Sequence, residues 1–227
     1  MRALLAGTLL IVALASAGCR GSSSASNGEA SKSAEQVLAD AVHAAKGATS
    51  FHTSAHLHFQ DNGAPFSIDM TLVKGRGGTA TFGPGPQKVD ALVIGTDAYL
   101  KADADFWKNG VVLGAAIVRR YEGRWVKVPP TDSRFIDYVN FADSDPFSAS
   151  LKSRQGTITN KGTTTYKGQR VVEIDGSKLG TVYVAAVGTA YPVAIVHAGA
   201  LGGTITFDSW NKSVALAAPA DAIDFGR

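Results

Sequence analysis

His52, His56 and His58 fall on one face of an alternating run, so two imidazoles at i and i+2 could share a Zn²⁺ ion. No cysteine lies near them, and Asp69, on the strand expected alongside, is the acidic candidate at hand. That set falls short of a tetrahedral site. The expectation is no metal, with the histidines as polar residues of a solvated sheet face. Arg119, Arg120 and Arg124 cluster further on. Guanidinium groups match phosphate and sugar-acid headgroups; equally, cations suit a helix end through its dipole. Ser, His and Asp are present, but no Gly-x-Ser-x-Gly elbow, phosphate-binding loop or His-Glu-x-x-His motif organises them. The expectation is a protein that is not an enzyme and needs no cofactor.

The remaining reactive side chain is Cys19, the sole cysteine. Arg2 precedes an uncharged apolar stretch from Ala3 to Ala17, and Ser16-Ala17-Gly18 leads into the thiol. This is the pattern of a secretory signal (residues 1–18) ending at a lipid-attachment cysteine, with Ser16 where leucine is favoured. A thioether-linked diacylglyceryl group on Cys19, joined by a further acyl chain such as palmitate on its freed amine, would give stable anchoring. The expected location is the extracytoplasmic face of the cell membrane. A lone cysteine cannot form an internal disulfide, so the exported domain must hold without one.

Residues 19–32 carry no bulky apolar side chain and read as the lipidated cysteine followed by a flexible tether. Residues 33–227 are long enough for a single core. Charged residues are 18% of the chain and the formal charge is +3, without the concentrated basic stripe that nucleic-acid binding needs.

Ser33 and Gln36 predict a capping box, and Val37, Leu38, Ala41, Val42, Ala44, Ala45 and Ala48 a slim apolar face on the helix it starts, with Gly47 near its stop. Strand patterns follow from Phe51 to Gln60, then through Phe66, Ile68, Met70 and Leu72, then Thr79–Phe82, Val89–Ile94 and Ala98–Lys101. Asp105 would cap a helix carrying Phe106, Gly110, Leu113, Ile117 and Tyr121. After a strand at Arg124–Val128, short helices are expected at Phe135–Phe141 and from Asp145-Pro146. The last third gives strands at Gly156–Asn160, Gln169–Ile174, Thr181–Ala186, Val193–His197 and Thr204–Trp210. Short turns join them, so the sheet should be antiparallel, and so many strands should curl. The expected fold is α+β: a half-barrel with the N-terminal helix and short central helices on its concave side. A barrel mouth is a preferred ligand site.

Several stretches resemble one family in their order: the lipobox, the Ser-rich tether, the Ala-rich helix, Ser50-Phe51-His52, Ala98-Tyr99-Leu100-Lys101, Phe106-Trp107 and Gly123-Arg124-Trp125-Val126-Lys127-Val128-Pro129. They look like the mycobacterial LppX/LprA/LprF/LprG lipoproteins, which resemble LolA and LolB. The resemblance implies a half-open antiparallel barrel that holds the acyl chains of a lipid or lipoglycan and carries it within the envelope. Strand and helix parity then assigns Val37, Ala41, Phe66, Ile68, Met70, Leu72, Ile205 and Phe207 to the concave side and Leu113 and Ile117 to a lid, with Arg119, Arg120 and Arg124 at the headgroup. Ordinary core packing is the alternative for each. Trp107, Trp125 and Trp210 would pack in the core, line the mouth or reach a membrane interface. The alternative for the whole chain is an envelope sensor with a filled barrel that binds a protein partner.

Overall fold

The computed structural model describes residues 25–58, 65–85, 87–152, 156–197 and 202–226. Cys19, the segment 1–18 and Phe59-Gln60 lie outside them.

Among the described residues one twelve-stranded sheet dominates. Its strands are β1 (Ser50–Leu57), β2 (Phe66–Val73), β3 (Gly77–Pro84), β4 (Val89–Ile94), β5 (Asp97–Ala102), β6 (Val126–Val128), β7 (Ile158–Tyr166), β8 (Gln169–Gly176), β9 (Gly180–Ala185), β10 (Pro192–His197), β11 (Gly203–Asp208) and β12 (Ile223–Asp224). The order β12-β6-β5-β4-β3-β2-β1-β11-β10-β9-β8-β7 is an open, curled ribbon with β2 and β1 at its centre. Neighbours are antiparallel except for β12, which pairs parallel to β6, so the sheet is mixed rather than wholly antiparallel. That pairing is made by a two-residue strand, too short to leave a period-2 signal.

Register explains the curl's inner face. One apolar rung crosses nine strands: Ala102, Val89, Phe82, Ile68, Ala55, Ile205, Ile195, Val182 and Ile174 are successive cross-strand partners. The next rung runs from Val126 through Leu100, Ala91, Ala80, Met70 and Thr53 to Phe207. Side-chain period 2 puts these residues on one side, where the helices cover them.

The covering elements divide the core into two lobes. Helix α1 (Ala34–Gly47) starts at the Ser33/Gln36 capping box, formed in both directions. Its buried Ala34, Val37, Leu38 and Ala41 pack over β8–β11 together with Phe147 of α4 (Pro146–Lys152). The other lobe lies over β2–β6 and holds Leu100, Trp107, Tyr121, Val126 and Phe135. Phe51 on the central strand packs against both. Each such side chain, fully buried, contributes about 1.5–3 kcal/mol.

The second lobe's cover departs from the single helix expected at 105–121. The chain makes a π-helical turn at Phe106–Gly110, and α2 (Ala115–Tyr121) starts only after Val112 has turned left-handed at φ 61°. The cap is Asp103, whose Oδ1 accepts from the Phe106 amide at 2.9 Å; Asp105 instead accepts from Asn109. Gly110 and Gly114, with two valines between them, give the segment too little helix propensity to stay continuous. Beyond it, α3 (Ile136–Val139) continues into a 3₁₀ turn at Asn140–Asp143, and Asp145 Oδ1 accepts from the Ser148 amide at the start of α4.

Two further differences have local causes. Strand β7 runs on to Tyr166 because a bulge at Gly162, φ 86°, resets the register after Asn160 instead of ending the strand. Residues 26–32, read as tether, are held on the domain. The Asn27 side-chain amide donates to the Ala185 and Gly188 carbonyls at 2.8 and 3.1 Å, and Lys32 bridges Glu29 and Asp40 at 2.7 and 2.6 Å.

Candidate functional site

The seam between the two lobes is incompletely filled. The end of α1 places the small Ala45 and, just past it, Ala48 there beside Lys46, and small side chains leave room. The result is an open cleft of about 400 Å³. Phe51, Leu72 and Phe207 form its floor, and Phe147 and Trp210 its wall. Phe51 and Leu72 are cross-strand partners on β1 and β2. Phe147 meets Phe207 edge-on at 5.6 Å, and the Trp210 ring stacks on Phe51 at 5.1 Å and on Tyr191 at 4.6 Å.

The rim is charged. Lys46, Lys74, Asp143 and Asp145 border the opening. Lys74 donates to the Lys46 carbonyl at 2.8 Å, which satisfies an orphan acceptor at the end of α1 and fixes the ammonium beside the cleft. Nearby, Asn211 Oδ1 accepts from the Thr49 amide at 2.8 Å, and Ser50 Oγ donates to the Lys212 carbonyl at 2.6 Å. An apolar floor under a rim that carries both ammonium and carboxylate groups is suited chemically to an amphiphile, its apolar part inside and its polar head at the edge.

The cleft opens at a definite end of the sheet. Ser50 starts β1, the Lys74–Arg76 turn joins β2 to β3, and Asp208 closes β11 at that same end. The N-terminal segment also meets the domain there. Asn27 bonds the Ala185–Gly188 loop, whose continuation Tyr191 stacks on the cleft residue Trp210.

Of the residues assigned by parity, Leu72 and Phe207 line the cleft. Val37 and Ala41 are fully buried in the α1 lobe, and Ile205 packs at its edge. Met70 and Ile68 belong to the other lobe, with Leu113 packed against it. Phe66 borders a smaller hollow of about 230 Å³ at the opposite end, with Phe82, Phe106 and Tyr138. Ile117 is 45% exposed. Arg119, Arg120 and Arg124 are exposed on and after α2, and none borders the cleft. Trp107 is buried with its indole N–H unpartnered, Trp125 is half-buried, and Trp210 is the tryptophan at the cleft. Trp210 is thus the tryptophan of the three that lines an opening, whereas Lys46 and Lys74 carry no signal in the sequence, because they meet only where two lobes of a curled sheet abut.

The histidines sit on the outer face. His52 lies between two carboxylates, its Nδ1 3.2 Å from Asp208 and its Nε2 3.2 Å from Asp69. Partial burial disfavours its charge, but hydrogen bonds to Asp208 and then Asp69 outweigh this and raise its pKa. His56 and His58 border a polar hollow with Ser54, Thr204, Thr206, Tyr166 and Lys167. No group of three metal-ligating side chains converges among the described residues.

No family model matches the sequence, and no curated protein does. Solved structures do. The chain is similar to LprF from Mycobacterium bovis, with 19% identity over 82% of this chain and 97% of that one and a TM-score of 0.52. It also matches the lipoprotein LppX of Mycobacterium tuberculosis, with 16% identity over 81% and 99% and a TM-score of 0.45. A third match is a LolA superfamily protein from Nitrosomonas europaea, with 8% identity over 81% and 95% and a TM-score of 0.29. The curled, unclosed sheet and the helices laid against it thus give this chain an open half-barrel fold, the fold it shares with LprF.

Proposed function

We propose that the chain is a membrane-anchored lipoprotein that takes an acyl chain of an amphipathic lipid or lipoglycan into the seam cleft and carries it within the cell envelope. The role is binding, without catalysis. The observation that carries this reading is the cleft itself: an apolar floor of Phe51, Leu72 and Phe207 under a polar rim of Lys46, Lys74, Asp143 and Asp145. Its volume, about 400 Å³, lies toward the lower end of the ~300–1,000 Å³ spanned by ligand pockets. Each methylene transferred from water contributes about 0.8 kcal/mol, so chain length sets the affinity. The headgroup stays outside beside Lys46 and Lys74. Of the other parity residues, Val37, Ala41, Ile68, Met70 and Ile205 belong to the lobes on either side of the cleft, whereas Phe66, Leu113, Ile117, Arg119, Arg120 and Arg124 lie away from it.

Acylation of Cys19 after removal of residues 1–18 places the domain, residues 33–227, on the extracytoplasmic face of the cell membrane. The cleft opens at the end of the sheet where the N-terminal segment joins the domain. The test is organic extraction and mass spectrometry of the full chain made in a mycobacterial host. A lipid recovered in stoichiometric amount, beyond the acyl groups bound to Cys19, supports the reading. No lipid, together with one stoichiometric protein partner in a membrane pull-down, overturns it in favour of an envelope sensor with a filled barrel.

A further inference from the structure

The segment between β5 and β6 presents a surface that the cleft does not use. Val111 and Leu113 face the core, and their amides donate to the Phe106 and Trp107 carbonyls at 2.9 and 3.0 Å. Val112 between them is pinned outward, 81% exposed and left-handed. A β-branched residue rarely adopts that backbone, and here the geometry spends it on showing an apolar side chain to solvent. Ile117 follows at 45% exposure, with exposed Ala115 and Ala116 beside it. Val112 and Ile117 are two of the three large apolar side chains that the described residues expose.

The same stretch is rich in cations. Lys108, Arg119, Arg120 and Arg124 are all exposed, with Glu122 the carboxylate between Lys108 and Arg124, and Asp103 and Asp105 exposed at the start of the segment. No ion pair joins any of these cations to a carboxylate among the described residues. An apolar tip with free guanidinium groups on the same stretch matches the boundary between acyl chains and phosphates in an anionic bilayer.

We propose that Lys108–Arg124 is a membrane-docking surface: Val112 and Ile117 enter the interface of an anionic bilayer while Arg119 and Arg120 pair with its phosphates. The contact is separate from the acyl anchor. The segment leaves Ala102 and returns at Trp125, where the Gly123 amide bonds the Ala102 carbonyl at 2.8 Å, whereas the N-terminal segment meets the domain at the Ala185–Gly188 loop.

The test uses the full chain carrying Cys19→Ser and Val112→Cys, spin-labelled at the new thiol, on vesicles of equal parts phosphatidylcholine and phosphatidylglycerol. Power saturation then reports whether the label sits in lipid or in water. The result expected is immersion, lost on pure phosphatidylcholine. Arg119→Gln with Arg120→Gln lowers the docked-to-undocked ratio by about 30-fold, at ~5-fold per cation near the surface. A second label at Thr165, on the far hairpin, stays in water. A Val112 label as exposed to aqueous relaxant as the Thr165 label on anionic vesicles overturns the proposal. So does a label that stays aqueous on vesicles and is immobilised only by a membrane protein partner.

Discussion

Ala45→Trp fills the cleft from the side where α1 leaves it empty. Ala45 lies in the last helical turn, is half-buried and lines the opening, so an indole there projects over the floor of Phe51, Leu72 and Phe207. It occupies the room of about four methylenes, and at ~0.8 kcal/mol each the lost transfer energy is about 3 kcal/mol, or roughly 200-fold in Kd. The fold itself should change little. Trp is a poorer helix former than Ala by less than ~1 kcal/mol, and the new ring gains contacts with the cleft wall. The assay is titration of wild type and variant with a dansyl-labelled fatty acid, alongside urea unfolding of each. The reasoning predicts a much weaker Kd with a near-constant unfolding midpoint. An unchanged Kd in a folded variant would refute it, since the acyl chain would then lie elsewhere.

Three other perturbations test the fold's supports. Ser33→Ala removes the hydroxyl that accepts from the Gln36 amide and should lower stability by about 1 kcal/mol in urea unfolding; no change would mean the capping box is idle. His52 has a raised pKa, so its pairing with Asp208 and Asp69 stabilises the fold fully below the unfolded value of 6.5 and fades as pH rises through the folded value. The gap in unfolding midpoint between wild type and His52→Gln should therefore be widest in mild acid and close in mild alkali, and a gap that widens with pH would contradict the ion pairing. Gly77 sits at φ 117°, and a Cβ there would stand 2.0 Å from the Val93 carbonyl oxygen. Gly77→Ala should cost more than ~2 kcal/mol by the same measurement.

What could be read from the chain alone was set by local periodicity. Ser33 and Gln36 announce their helix, and the alternation at Phe66–Leu72 and Ile205–Phe207 places those residues on the inner face through registry alone. The resemblance supplied the half-barrel, which the fold shared with LprF confirms. Missed features depend on backbone states or distant partners. Val112 is β-branched, and nothing in its type announces a left-handed φ. The strand expected to end at Asn160 runs on to Tyr166 through a bulge at Gly162. Ile223 finds Val126 only after the C-terminal chain has returned to the edge of the sheet. The site is the least legible part. Phe51, Phe147 and Trp210 are ordinary aromatic residues in sequence, and they enclose a void only because two lobes meet imperfectly above β1.

The most direct measurement is photocrosslinking of the full chain with a diazirine-bearing fatty acid, followed by peptide mapping. The account predicts adducts on Phe51, Leu72, Phe147, Phe207 and Trp210, competed away by unlabelled lipid. Adducts confined to the hollow at Phe66 and Phe82, or spread over the surface without competition, would contradict it.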